Sequence, residues 1–266
     1  NTDLKTHKRQ EEPEFIYSYC SDTRQLYWTR ITTGESFTFE LPSFRFRDYC
    51  SLCALPGNRA LYITGGRQYP SVSNEVASIG VKDDFSILSK PPMLKARNCH
   101  STIYSEGYLY VIGGWNWSAL KECERYRVTD SEWEAISPLL TGLCVPSLFM
   151  HEGTQMLYAI GGDDGNYCMN IIQELRIGSL EWRSLEVRLP LASHNFISFK
   201  YELDCYILLD SSLYLFDVNS LQISRIRPLD KPVKVENMPS CYYKGNLYVS
   251  YVFGGVRHVS IGSVRG

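Results

Sequence analysis

Histidine and cysteine carry much of protein chemistry, and this chain has five of the first and nine of the second. The histidines, at positions 7, 100, 151, 194 and 258, form no HxH, HxxxH or HExxH pair whose spacing would hold a metal. Cys50-Ser-Leu-Cys53 has the spacing of half a zinc site. On an extended strand, however, residues three apart point to opposite faces, and no second CxxC follows. The cysteines are spread through apolar runs, as small buried thiols of a reducing compartment are. Asp163-Asp164-Gly165-Asn166 opens like a calcium loop but reads as a turn. GxSxG, the P-loop and GxGxxG are absent. No metal, cofactor or catalytic residue is expected on these grounds. The residue types that remain are those of recognition, and they are placed by a repeat.

The repeat is a short apolar strand. Gly107-Tyr-Leu-Tyr-Val-Ile-Gly-Gly114 has counterparts in LYITGG and LYAIGG, so that tyrosines fall at 62, 110 and 158 with a spacing of 48 and 48 again. A further 48 reaches Tyr206, then 42 reaches Tyr248, and 45 back from Tyr62 lies Tyr17. Six copies of one strand imply one supersecondary unit used six times. In the unit 97–139 the apolar run 108–112 is too short for a helix and rich in β-formers, so it predicts a buried strand. Strands are also predicted over 100–104, 123–128 and 132–136, giving four antiparallel strands and no room for a crossover helix. Such four-stranded blades around an axis make a propeller.

Gly113-Gly114 after the apolar strand, then Tyr126, then Trp133 resembles the Kelch repeat. The next unit has Gly161-Gly162 and Trp182 with Leu175 in place of the Tyr. The preceding unit has Gly65-Gly66 with Ile79 and Phe85 near the two aromatic positions. The units around Tyr17 and Tyr206 lack the doublet, and in the last unit Gly254-Gly255 falls late. The resemblance implies an all-β, six-bladed Kelch-type propeller of four-stranded antiparallel blades. Its units are 14–41, 48–91, 97–139, 142–190, 194–229 and 239–266, after a polar linker at 1–13. The two ends of the chain are expected to share a closing blade, built from residues 4–9 or 261–265.

Tyr62, Tyr110, Tyr158, Trp133 and Trp182 repeat from unit to unit, so they are expected to pack between blades. Trp115 and Trp117 do not repeat. The matching loops carry Arg67 and Tyr69 in one unit and Asp163, Asp164 and Tyr167 in another. Loops on a rigid scaffold are where function concentrates, and Trp, Tyr and Arg dominate interface hot spots. The alternative for the tryptophan pair is that both rings fold onto neighbouring loops. In Kelch domains of ubiquitin-ligase adaptors, Arg and Ser at the entry to each blade's first strand line a substrate pocket. The matching residue here, sixteen before the doublet, is Arg97; the same count gives Tyr49 and Val145 in the flanking units. Arg45, Arg47, Asn98 and His194 lie near enough to contribute.

The expected partner-binding set is therefore Arg47, Arg67, Tyr69, Arg97, Asn98, Trp115, Trp117, Asp163, Asp164, Tyr167 and His194. The expected function is a non-catalytic module that binds a peptide or loop of another protein. The resemblance extends this to substrate recruitment for a cullin-type ligase adaptor. The rivals are a propeller enzyme of sugar mutarotase or oxidase type and a cytoskeletal scaffold. Carboxylate, His or Arg side chains around a deep axial hole would favour the enzyme, and an aromatic rim would favour protein binding. The net charge of −2 offers no reason to expect nucleic acid or an anionic membrane. No apolar run approaches the roughly 20 residues needed to cross a bilayer. A cytoplasmic location is expected.

Overall fold

The computed structural model describes residues 15–20, 25–30, 33, 35–40, 47–80, 86–194, 196–201, 203–228, 240–243, 246–253 and 256–263. The linker 1–13, Arg45, Phe85, Gly254-Gly255 and the closing candidate 4–9 lie outside them. The first sheet holds β1 (Phe15–Cys20), β2 (Gln25–Arg30) and β3 (Ser36–Glu40). The second has β4 (Ser51–Ala54) and β5 (Ala60–Thr64), a two-residue ribbon of β6 (Arg67–Gln68) and β7 (Ser71–Val72) in its loop, then β8 (Val76–Gly80) and β9 (Ile87–Lys90). The third is β10 (Ser101–Ser105), β11 (Tyr108–Ile112), β12 (Cys123–Arg127) and β13 (Glu132–Ile136). The fourth is β14 (Ser147–His151), β15 (Met156–Ile160), β16 (Ile172–Arg176) and β17 (Glu181–Ser184). The fifth is β18 (Phe196–Tyr201), β19 (Asp204–Leu209), β20 (Ser212–Asp217) and β21 (Gln222–Pro228). The last sheet is β22 (Ser240–Tyr243), β23 (Asn246–Phe253) and β24 (Val256–Ser263).

Four sheets are thus complete antiparallel four-stranded blades of one propeller. The expectation of six such blades is corrected. Innermost strands β4, β10, β14, β18 and β22 follow one another around the axis, so five blades have an inner strand. The sheet β1–β3 has none among the described residues, and its first strand lies against β23. The sequence 1–14 carries no counterpart of the apolar segment that leads each other unit.

The apolar strand owes its continuous character to burial on both faces. Leu109 and Val111 pack with Tyr62 and Val76 of the preceding blade, whereas Tyr110 and Ile112 pack with Leu157, Ala159 and Leu175 of the following one. Tyr158 and Ile160 turn to Ile207, Leu209 and Phe216 of the fifth sheet in the same way. The period of two along the strand therefore divides its side chains between two interfaces. Tyr62, Tyr110 and Tyr158 are at most 3% exposed. Tyr62 meets Tyr126 across a blade boundary at 6.0 Å, and Tyr158 meets Phe216 edge-on at 5.2 Å. Each large apolar side chain so buried contributes roughly 1.5–3 kcal/mol.

Strand register confirms Leu175 opposite Leu157 and Ile79 opposite Leu61 where the best unit has Tyr126 opposite Leu109. In the second sheet the position equivalent to Trp133 is held by Ile87, paired with Ile79. The fifth sheet replaces the glycine doublet with Asp210 and Ser211 at φ 45° and 60°, a tight hairpin turn between β19 and β20.

The doublet itself stitches blades together. Gly113 has φ 63°, and a Cβ there would lie 2.2 Å from the carbonyl oxygen of Leu143 in the connection entering the next blade. Gly114 then donates its N–H to that same carbonyl at 2.8 Å. Gly66 donates likewise to Arg97, and Gly162 to Ser193. Only a residue without a side chain lets two blades approach this closely.

Candidate protein-interaction face

Loops carrying the doublets and the connections entering each inner strand lie on one face, joined by three equivalent backbone bridges. Asp48 pairs with Arg67, Asn98 with Trp115, and Cys144 with Asp163. Each pair exchanges two N–H···O bonds of 2.7 to 3.1 Å. Arg47, Arg67, Arg97, Asn98, Trp115 and Asp163 are therefore brought together by a repeated geometry. The register also corrects the residue count across it. Arg97 precedes its bridge as Arg47 and Leu143 precede theirs, so those two are its equivalents, and Tyr49 and Val145 match Cys99 instead. Counting back from the doublet fails because the hairpin between the first two strands differs in length from blade to blade.

Arg97 does not face a partner. It is fully buried, with Nη1 donating to the carbonyls of Gly113 at 2.6 Å and Glu122 at 2.7 Å, and Nη2 to Glu124 Oε1 at 2.5 Å. Glu124 in turn accepts the N–H groups of Leu94 and Lys95, tying down the connection above it. Asn98 is 2% exposed and is likewise withdrawn beneath the face. A guanidinium can be carried inside a protein only with its donors met, and this site meets them with carbonyls and a carboxylate. Arg47 stays partly exposed and pairs with Glu75 at 2.5 Å.

The two tryptophans part company. Trp115 is half-buried, and its ring lies so close to Gly165 in the next loop that a Cβ there would come within 2.6 Å. Trp117 is 80% exposed, Tyr69 86% and Tyr167 74%, one aromatic on each of three successive blades. Arg67 lies over the ring of Tyr49, itself exposed, at 5.2 Å. Asp164 is spent on its own loop, accepting the N–H groups of Asn166 and Tyr167 at 2.8 Å each, and its carboxyl is held below the usual range by those bonds. Asp163 caps Gly165 at 2.7 Å. The stretch is the turn expected. Sequence reading missed Leu94, Leu140 and Leu191, exposed leucines on successive entry connections. Their signal was a leucine four residues before the bridging Asn98 and Cys144, masked because leucine is ordinary in a β protein.

Tyr49, Cys99 and Val145 form the inner rim. All three are left-handed, at φ 58°, 51° and 50°, and are linked by N–H···O bonds from Val145 to Cys99 and from Cys99 to Tyr49. Such backbone is costly for a β-branched residue such as Val145, about 1–3 kcal/mol, and the inter-blade bonds hold it in place. Within the rim a cavity of about 580 Å³ runs along the inner strands. Ser51, Ser101, Ser147 and Ser198 line its wall, and among the described residues no Asp, Glu, Lys or Arg does. His100 lies there, buried, with Nε2 2.8 Å from Thr64 Oγ1. Burial, and secondarily the charge of Arg97, pushes its pKa down to about 3, so it is neutral.

His194 lies at the edge of the fourth blade's loop. Its Nδ1 is 3.1 Å from Cys168 Sγ and 3.8 Å from Asp163 Oδ2. A Cys-His-Asp nucleophilic relay needs the thiol on one ring nitrogen and the carboxylate on the other. Here both address the same nitrogen, so the constellation is not a relay.

A ring of antiparallel four-stranded blades, cross-stitched by glycine doublets, defines the class as a Kelch-type β-propeller. The Kelch motif family matches residues 96–140, which is the third blade with both flanking connections. That blade carries a Kelch motif, and the chain is similar to Kelch-repeat proteins. It is 24% identical over 169 residues to the human Kelch repeat and BTB domain-containing protein 3, covering 59% of this chain and 27% of the relative. An F-box/kelch-repeat protein of Arabidopsis thaliana is 28% identical over 148 residues, covering 53% of this chain and 36% of its own length. A RING finger domain and kelch repeat-containing protein of Dictyostelium discoideum is 24% identical over 151 residues, covering 56% of this chain and 14% of its own length. The matched segment thus spans between about a seventh and a third of these relatives. Among the described residues no helix is long and apolar enough to cross a membrane.

Proposed function

We propose that the propeller binds a segment of another protein on the doublet face and catalyses no reaction. The observation that carries this reading is the placement of Trp117, Tyr69 and Tyr167, each more than 70% exposed, on three neighbouring blades around a cavity that no charged side chain lines among the described residues. Large aromatics held out in water on a rigid frame are the anchors of protein interfaces. A catalytic propeller would require ionisable groups converging on the axis, and His100, which lines the cavity, is held neutral. Arg67 and Arg47 at the margin suit a partner segment carrying both acidic and apolar residues. The leucines on the entry connections extend the apolar surface outward.

The relatives named for BTB, F-box and RING domains support a finer reading, that residues 14–266 act as the substrate-recruiting half of a cullin-type ligase adaptor in the cytoplasm. The cullin contact then belongs to a region other than this propeller. The test is proximity labelling in cells with the intact chain and with Tyr69→Ala/Trp117→Ala/Tyr167→Ala, matched for melting temperature. Loss of specific partners from the variant is expected. Retention of every partner would sink the reading.

A further inference from the structure

We propose that Asp163, Cys168 and His194 bind one zinc ion on the doublet face, between the fourth blade's loop and the connection entering the fifth. The Asp163 carboxylate, Cys168 Sγ and His194 Nδ1 all lie within 4.8 Å of one another. Zinc takes this donor set, with bonds of about 2.3 Å to sulfur and about 2.0–2.2 Å to nitrogen and oxygen. In a tetrahedron those bonds put neighbouring donors roughly 3.3–3.6 Å apart. The observed edges, 3.1 Å from sulfur to nitrogen and 3.8 Å from nitrogen to oxygen, bracket that value. The convergence of thiol and carboxylate on Nδ1, which rules out a nucleophilic relay, is what a shared cation requires. A thiolate beside an imidazole selects zinc over magnesium or calcium, which take oxygen donors.

The backbone already holds the donors in register. Asp163 is bridged on one side to Cys144 and on the other to Cys168, and residues opposite one another in an antiparallel bridge project to the same face. Met169 donates to Gly162 at 2.8 Å, and Gly162 donates to Ser193, next to His194, at 3.3 Å. These bonds fix the loop against the connection that carries the histidine. Cys144 Sγ lies 3.9 Å from Asp163 Oδ1 and offers a further donor close by. The side chains of His194 and Asp163 are 39% and 23% exposed, so the site opens to solvent and a water can complete the coordination. No short motif announces it: Asp163 and Cys168 are five apart, and His194 comes 26 residues later.

Cobalt(II) tests the site, because thiolate-ligated tetrahedral cobalt has intense visible bands and a near-ultraviolet sulfur-to-metal band. The reduced, metal-free full chain should develop both with one equivalent of cobalt(II), and zinc should abolish them. Cys168→Ser should lose the sulfur-to-metal band, and His194→Ala the one-equivalent stoichiometry. Trp117→Ala, which removes an anchor of the proposed docking face, should leave the spectrum unchanged. Absence of bands in the folded wild type, or their survival in Cys168→Ser, would overturn the site. Should Cys168→Ser fail to fold, Asp163→Asn and the zinc-dependent rise in wild-type melting temperature take its place. The site falls if zinc produces no rise, or if Asp163→Asn shows the full wild-type rise.

Discussion

Arg97 and Glu124 form an ion pair of 2.5 Å with side chains 0% and 2% exposed. This pair underlies a face whose neighbouring blade carries its arginine, Arg47, partly in water. The same repeat position thus serves burial in one blade and surface charge in the next.

Removing one partner of a buried pair strands the other charge, at a cost of roughly 3–5 kcal/mol. Arg97→Met is expected to lose stability of that order in urea unfolding, since Glu124 would keep only the backbone N–H groups of Leu94 and Lys95. Arg97→Met/Glu124→Gln should recover part of the loss. Equal stability for the two variants would show that the stranded carboxylate is not the cause.

His100 makes stability depend on pH in a definite direction. Its folded pKa of about 3 lies below the ordinary value of 6.5, so the unfolded chain takes up the proton first as acid is added. The contribution is complete above about pH 6.5 and declines as pH falls toward 3, by up to about 1.4 kcal/mol per unit. His100→Gln, which can still bond Thr64, should flatten the wild-type slope between pH 6.5 and 4.5 in denaturant titrations. Parallel slopes would remove His100 as the source.

Gly113 and Gly107 both have positive φ, yet their surroundings differ. A Cβ at Gly113 meets the Leu143 carbonyl at 2.2 Å, whereas at Gly107 nothing lies within 4 Å. Gly107→Ala should cost about 1–2 kcal/mol from backbone strain alone. Gly113→Ala should cost clearly more, because the blades must separate. Similar melting temperatures would contradict the stitching role of the doublet.

Trp115 and Trp117 give opposite outcomes although they are two residues apart. Trp117→Ala should leave stability within about 0.5 kcal/mol and weaken partner capture. Trp115→Ala uncovers Gly165 and its loop, and should destabilise by roughly 1–3 kcal/mol. Chemical denaturation of both variants beside the wild type decides this.

The even spacing of Tyr62, Tyr110 and Tyr158 determined the blade and its strands, because a strand buried on both faces must stay apolar along its whole length. The glycine doublets and Trp133 sufficed for the family for the same reason: each answers a constraint that recurs in every blade. Local sequence also placed the loops that bear Tyr69, Trp117 and Tyr167. Only the tertiary structure decided that Trp117 stands in water while Trp115 lies on the next loop, or that Arg97 is sealed and Arg47 is not. It also decided that five inner strands ring the axis among the described residues, and that Cys168 and His194 meet. These outcomes depend on contacts between neighbouring blades, which hairpins of unequal length shift by whole residues, and no spacing along the chain records where two separate loops come together.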